Sequence, residues 1–315
     1  MTAVPTPASV KPRGRLYRIV DSDLMHAFLR SPIVMIAALV AVALLLVAFL
    51  SPLLAPFDPY DLKSLSLMDS DTPPAWIKGG DPRFWLGTDD QGRDIFSTIL
   101  FGLRASLLIS MAAVAFALLL GVTLGLIAGY YGGHVDTLIM RIADIQLTFP
   151  AILTALLVDG VAHVLLKDSN LSNSHFAILV VAIGLSYWVQ YARTVRSVTL
   201  VEKNKDYVQA ARLIGLTKTK IMFQHVLPNV LSPVMVIATI NLALAIITEA
   251  TLSYLGVGLP ASEPSLGTMI QIGNKYLFSG SWWMVAFPGV TLAALVLSVN
   301  LVGDWLRDAL NPRLR

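Results

Sequence analysis

Glu249 is the most informative charge in the chain. It stands in an otherwise apolar run, Thr248-Glu-Ala-Thr-Leu-Ser-Tyr-Leu-Gly256. A carboxylate there is costly to hold in a membrane and usually faces a cavity or a partner. Two roles are open to it: contact with a cationic group, or a polar lock closed by a serine or a backbone amide near a helix end. The five histidines, His26, His134, His163, His175 and His225, are scattered, with no i,i+4 pair and no carboxylate set beside them. A zinc or nickel site is not expected from that pattern. Neither a Gly-x-x-x-x-Gly-Lys-Ser/Thr phosphate loop nor a Gly-x-Ser-x-Gly nucleophile elbow occurs, and cysteine is absent. Nothing in the chain therefore points to its own nucleotide, hydrolytic or thiolate chemistry.

The charged pattern that does stand out runs from Asp206 to Pro228, between two apolar segments. Asp206 with Gln209 three residues on has capping-box spacing, which predicts a helix start at Asp206. Val208, Ala211, Leu213 and Ile214 follow at helical intervals, and Gly215 is where that helix would end. Thr217 is expected to cap a second short helix bearing Ile221, Met222, Phe223 and Val226, with Pro228 as a new boundary. The first helix, Tyr207–Ile214, would be about 12 Å long. That suits a ridge laid into a partner's groove, Ala210 and Ala211 allowing close approach and Val208 and Ile214 giving apolar contact.

This hairpin resembles the cytoplasmic loop of permease subunits of binding-protein-dependent ABC importers. Their signature reads Glu-Ala-Ala, three residues, Gly, nine residues, Ile, one residue, Leu-Pro. Here it stands as Gln209-Ala210-Ala211, Gly215, His225 and Leu227-Pro228 with the spacing intact. Gln replaces Glu and His replaces Ile, so a salt bridge made by the family's Glu is not available here.

The elements that would position these residues are membrane spans. Hydrophobic residues make up 56% of 315 residues, charged residues 14%, and the mean hydropathy is +0.70; a soluble domain carries nearer a quarter charged. Residues 1–31 read as a basic, proline-containing tail leading to a short interfacial helix, and Ile33–Leu54 as an uncleaved first span. Residues 55–103 are polar. Within them Leu86-Gly-Thr-Asp-Asp-Gln-Gly-Arg-Asp-Ile-Phe96 is expected to be a capped amphipathic segment on the outer membrane face; it lacks calcium-loop spacing. The second span, about Ala105–Ala128, has Gly121 and Gly125 on one face with Gly129 following, a spacing that admits a closely packed helix, most simply one of the same chain.

Tyr130–His134 reads as a turn. The third span, about Asp136–Val158, should kink at Pro150 and pair Arg141 with Asp144. A polar loop, 159–175, precedes the fourth span, Phe176–Ala192, which ends at Arg193 and Arg196. The fifth is Asn229–Gly256, followed by a second outer loop, Val257–Trp283, and a sixth span, Met284–Val302. Basic residues number five in the first tail, Arg141, seven from Arg193 to Lys220 and three in the last tail, sixteen in all, against seven on the other side. The positive-inside rule then puts both termini and the hairpin in the cytoplasm.

The chain's remaining motifs extend the resemblance. Leu86-Gly-Thr-Asp…Gly-Arg-Asp94, Glu249-Ala-Thr-Leu-Ser-Tyr-Leu-Gly-Val-Gly258 and Gly303-Asp-Trp-Leu-Arg-Asp-Ala-Leu-Asn-Pro-Arg313 are similar to runs of the dipeptide, oligopeptide and nickel branch, second-permease type. Asn311 replaces a usual Asp, and Leu266 stands where Trp is frequent. The resemblance implies an all-α integral membrane fold of six transmembrane helices, type I ABC importer permease, with a cytoplasmic coupling helix. It implies a 1–31 tail, a first helix and external segment over 32–103, a permease core over 104–306 and a cytoplasmic tail over 307–315. It further implies a bacterial inner-membrane, multi-pass chain without a catalytic site, which moves small peptides or related solutes. Its partners would be a homologous second permease, two cytoplasmic ATPases that bind ATP and Mg, a solute-binding protein and membrane lipid, with no nucleic acid. Members of that branch serve peptides, glutathione, nickel and opines, so the substrate stays open, and Glu249 would be a possible contact for a peptide ammonium. A stand-alone secondary transporter would need ion-coupling carboxylates and repeats; a membrane scaffold would leave the hairpin without a purpose.

Overall fold

The computed structural model describes residues 28–61, 65–165 and 175–309. Most of the basic first tail, Ser172 in the loop before the fourth span and Asn311 lie outside the described residues. Among the described residues the fold is helical throughout, with one isolated bridge, Thr88 to Asp94, and no named strand. Five helices are long and apolar enough to cross a membrane, and six crossings result when one bent pair is counted as a span.

Helix α1 (Pro32–Phe49) has proline in its first turn, where no N–H is missed. It ends at Leu50, two residues before Pro52, and a separate turn, Ser51–Leu54, follows. The expected single run Ile33–Leu54 is thus broken near its C-terminal end. Helix α2 (Ile95–Tyr131) is far longer than Ala105–Ala128. Asp94 starts it, accepting from the Ser97 amide at 2.8 Å and the Ser97 hydroxyl at 2.6 Å. At 37 residues it is about 55 Å long, well beyond the ~30 Å hydrocarbon core.

The third span differs most from expectation. Helix α3 (Gly133–Leu147) and helix α4 (Ala151–Leu165) meet at a bend of 101°, so Pro150 sits in a break rather than a kink, and helix continues into the expected 159–175 loop. Proline disfavours helical geometry in the residue before it, which stops α3 at Leu147. Helix α5 (His175–Glu202) runs ten residues past Ala192, so Arg193 and Arg196 lie within it. Asp144 pairs with Arg193, and Asp136 with Arg196 at 2.5 and 2.6 Å, so the expected Arg141–Asp144 pairing gives way to bonds between helices.

Helix α6 (Asp206–Leu213) is followed by helix α7 (Leu227–Tyr254), which is entered without a break through the turns Lys218–Ile221 and Met222–Val226. The stretch Val257–Trp283, expected as a loop, contains an unforeseen helix, α8 (Leu266–Tyr276), capped by Ser265. Helix α9 (Trp283–Ala309) completes the fold with Pro288 inside it.

Helices α2 and α5 form the centre. A Cβ on Gly121 would stand 2.5 Å from the Trp188 carbonyl oxygen, one on Gly125 2.8 Å from Val195 Cβ, and one on Gly129 2.7 Å from Thr199 Cβ. The glycine face therefore lies against α5 of the same chain, backbone to backbone.

The Leu86–Phe96 stretch is a buried knot, not a surface-lying amphipathic segment. Thr88, Asp89, Arg93 and Asp94 are all buried. Burial is tolerated because most of the polar groups find partners, although Arg93 Nη2 has none among the described residues. Arg93 Nε donates to Asp89 Oδ2 at 2.6 Å, Arg93 Nη1 to the Ala261 carbonyl at 2.6 Å, and Trp283 Nε1 to the Thr88 carbonyl at 3.2 Å.

Candidate functional site

The hairpin has two faces. Val208 is 0% exposed and Ala211 is buried beside it. Both join Ile221, Met222 and Val226 in the main core cluster. Asp206, Gln209, Ala210, Leu213 and Ile214 lie on the opposite stripe and are exposed, Leu213 by 88% and Ile214 by 76%. The expectation that Val208 reaches outward is corrected: it anchors α6 to its own chain, as does Ala211, and Leu213 is the outward residue beside Ile214. Period 3.6 alone distinguishes two faces without saying which is inward.

The start of α6 also differs. Lys205 is the N-cap, with extended geometry, and no side chain caps the helix. Asp206 sits one position later, in the first turn, where its charge opposes the positive helix end. Gln209 Nε2 reaches the Lys203 carbonyl at 3.5 Å rather than closing a capping box.

Glu202, Tyr207 and Asn229 do the organising. Glu202 accepts from Lys205 Nζ at 2.5 Å and from the Tyr207 hydroxyl at 2.6 Å. Asn229 Nδ2 donates to the Tyr207 hydroxyl at 3.1 Å and to the His225 carbonyl at 2.8 Å. Burial, with the Glu202 carboxylate beside it, pushes the Tyr207 phenol up to about 12. The end of α5, the start of α6 and the start of α7 thus share one network. Sequence reasoning missed all three residues; the available signal was an acid at a span end with a lysine three positions on.

Gly215 closes α6 at φ +80°. Leu216 N–H donates to the Ala211 carbonyl at 3.1 Å and Gly215 N–H to the Arg212 carbonyl at 3.0 Å, the Schellman pattern that favours glycine. His225, Leu227 and Pro228 lie at a π turn, Met222–Val226, where the Leu227 N–H reaches back to the Met222 carbonyl. That wide turn keeps the helix continuous, so Pro228 falls in the first turn of α7 and is not a boundary. His225 is half-buried, and its Nδ1 has no hydrogen-bond partner among the described residues. Between hairpin and α2 lies a pocket of about 420 Å³, with Arg212 5.7 Å from the Tyr130 ring and Lys218 5.9 Å from the Tyr131 ring.

Glu249 is some distance along α7 from this assembly and has no exposed surface. Its Oε1 accepts from Ser253 Oγ at 2.8 Å, and the Ser106 and Ser265 side chains stand around it. Ser106 in turn accepts from the Leu266 N–H at 3.3 Å. The carboxylate sits where α2, α7 and α8 meet.

Residues 121–315 match the family described as binding-protein-dependent transport system inner membrane component, and residues 22–74 the N-terminal transmembrane domain of oligopeptide transport permease C. The chain is 40% identical over 270 residues to the dipeptide transport system permease protein DppC of Haemophilus influenzae, covering 86% of this chain and 87% of that one. It is 36% identical over 293 residues to the oligopeptide transport system permease protein OppC of Bacillus subtilis (93% and 90%). It is 36% identical over 303 residues to the glutathione transport system permease protein GsiD of Pectobacterium atrosepticum (96% and 94%). A structure of the MetNI methionine ABC transporter in inward-facing conformation superposes with a TM-score of 0.52 at 20% identity, covering 68% of this chain and 96% of that one. At that identity the likeness concerns the fold.

Proposed function

We propose a function from one premise: the chain belongs to the family of binding-protein-dependent transport system inner membrane components. It is a multi-pass inner membrane permease subunit of an ABC importer, and its family is not itself catalytic. The solutes we assign to it are small peptides or close relatives of them. The names of its relatives, which read dipeptide, oligopeptide and glutathione, support that choice. In this reading the chain forms half of the route, with a homologous second permease forming the rest. Two cytoplasmic ATPases carry the ATP and Mg, and a solute-binding protein delivers the solute.

One observation carries the coupling role. The hairpin presents Leu213 and Ile214 to the outside while Val208 and Ala211 fix its other face to the core. Such a ridge fits a groove in an ATPase subunit. ATP-driven movement of that groove would then act on α5 and α7 together, through Glu202, Tyr207 and Asn229. Differential affinity of nucleotide for the closed ATPase pair supplies the bias between states. Glu249 acts here as a polar lock rather than a substrate contact, a reading its complete burial supports.

The experiment is co-purification of the ATPases with the chain, plus peptide uptake by the reconstituted complex. A Leu213→Asp, Ile214→Asp double variant that inserts normally yet loses the ATPases supports the reading. Retention of ATPases and uptake would remove the coupling role. Orientation is tested separately: a reporter fused after Asn311 should be cytoplasmic and one inserted near Ser172 external.

A further inference from the structure

Two tyrosines and two cations meet where α2 gives way to α3. The apolar run of α2 ends in Gly129-Tyr-Tyr-Gly-Gly133. Tyr130 is buried and Tyr131 is 51% exposed, their rings 5.8 Å apart and edge to face. The hairpin folds back onto them. Arg212, in α6, stands over the Tyr130 ring, and Lys218, just past the turn, over the Tyr131 ring. With Leu216 and Ile221 these four residues line the pocket of about 420 Å³. That lies within the span of about 300–1,000 Å³ usual for small-molecule sites.

The pocket lacks negative charge. Among the described residues neither Arg212 nor Lys218 makes an ion pair, because the neighbouring acids are engaged elsewhere: Asp136 holds Arg196, and Glu202 holds Lys205 and Tyr207. Asp206 is turned about 120° away from Arg212 around α6. A third cation, Lys203, adds to the positive charge, its Nζ donating to the Gly129 carbonyl at 2.7 Å. Arg212 and Lys218 are both exposed, so an anion can reach their N–H groups. Arg212 lies about 40° from the buried Val208 and about 100° from the outward Leu213 around the helix. It leans off the exposed ridge toward α2. The site is therefore at the end of a span, beside the ridge and not on it.

We propose that this pocket holds the phosphate of an anionic phospholipid, which ties the hairpin to the end of α2. Tyrosines at the end of a span sit at headgroup level on either face of a membrane, so the assignment requires no choice of inside or outside. A basic pocket between helices at that level suits an acidic headgroup. The Arg212 guanidinium forks two phosphate oxygens, and the Lys218 ammonium takes a third as a point charge. A zwitterionic lipid would bring its own ammonium to two cations, which disfavours it. The site goes beyond the transport reading and depends on neither the solute nor the ATPases. Its effect would be to hold α6 at one angle to α2, since Arg212 and Tyr130 belong to different helices.

The test titrates the purified full-length chain, alone and in its complex, with phosphatidylglycerol or phosphatidylcholine and counts retained lipid by native mass spectrometry. The wild type should retain phosphatidylglycerol in clear preference. A cation beside a headgroup is worth about a fivefold change in affinity, so Arg212→Gln with Lys218→Gln should weaken retention about 25-fold. Arg212→Lys should keep most of it. Lys220→Gln should change little, because Lys220 does not line the pocket. No preference for phosphatidylglycerol, or unchanged retention in the double variant, would overturn the proposal. An equal loss in Lys220→Gln would make the effect one of diffuse surface charge and overturn it too. Displacement of the lipid by inorganic phosphate alone would make the pocket a free-anion site. Release of the ATPases by the double variant, with lipid retention unchanged, would assign the cations to the partner protein; both results overturn the lipid assignment. If no ATPase co-purifies with the wild type, the coupling reading fails, while lipid retention is still read on the chain itself.

Discussion

Replacing Gly215 tests the hairpin at its most sensitive point. The residue holds φ +80°. No atom lies within 4 Å of the position a Cβ would take. A substitution there meets no steric neighbour, so its cost is conformational. An ordinary L-residue in the left-handed region costs about 1–2 kcal/mol. Asn is much better tolerated there, and a β-branched residue fares worse. For Gly215→Val a cost of about 2–3 kcal/mol disfavours the set turn roughly 30- to 160-fold. If the turn cannot open without losing the Schellman bonds to Ala211 and Arg212, α6 is re-aimed while the spans still insert. Substrate-stimulated ATPase activity and ATPase retention in purified complexes should then fall in the order Gly, Asn, Ala, Val. Expression and membrane insertion should be equal across the series. Normal coupling in Gly215→Val, or equal loss in Asn and Val, would refute the reasoning, because neither follows from a left-handed requirement.

Other positions give further outcomes. Glu249→Gln should preserve assembly and uptake, since an amide still bonds Ser253, whereas Glu249→Ala should lower the melting temperature by stripping a buried polar cluster of its acceptor, a loss of about 1–3 kcal/mol. Gly125→Leu should cost about 1–3 kcal/mol or more, seen as reduced yield of folded protein, because Val195 Cβ stands 2.8 Å from the new Cβ; Gly160→Ala, with nothing within 4 Å, should be silent. Tyr207→Phe removes the 2.6 Å bond to Glu202 and should weaken the link between substrate arrival and ATP hydrolysis without releasing the ATPases, measured as a smaller substrate stimulation of ATPase rate.

What could be read in the chain divides by the range of the interactions. The all-helical, multi-spanning fold follows from hydrophobic run lengths, and those are local. Helix ends were poorly legible because partners distant in sequence prolong them: α5 continues past Ala192 because Asp136 and Asp144 neutralise Arg196 and Arg193 from another helix. Helix α8 is not legible locally, because its Pro- and Gly-rich flanks mask a run in which Gly267 packs on Ala250 and Gly273 on Met284. The knot at Leu86–Phe96 looked like surface because its charges are dense. They are buried because Arg93 spans to Ala261, 168 residues away, a pairing no local pattern encodes. At the hairpin the turn at Gly215 and the two-faced helix were legible. Which face looked outward was not, since that depends on Ile221, Met222 and Val226 returning beneath α6.

The two sides of the hairpin place a mechanical constraint on any transport cycle. A rigid link is needed if movement of a docked partner is to reach the spans rather than bend the loop. Here the link is short. Glu202 ends α5, Tyr207 lies in the first turn of α6, and Asn229 lies in the first turn of α7. All three meet at the Tyr207 hydroxyl. The π turn at Met222–Val226 joins the hairpin to α7 without a break, so a push on α6 reaches a helix of 37 residues counted from Lys218. That helix carries Glu249 toward its far end, where the carboxylate meets Ser253 with Ser106 and Ser265 beside it. A tilt imposed at the hairpin turn would therefore be delivered at the junction of α2, α7 and α8, at the far end of the lever. The ion pairs of α3 with α5 stand alongside the same lever. Coupling by this route needs no change of secondary structure, only a rocking of α5 and α7 against α2, whose glycine-lined contact with α5 is tight enough to act as the fulcrum.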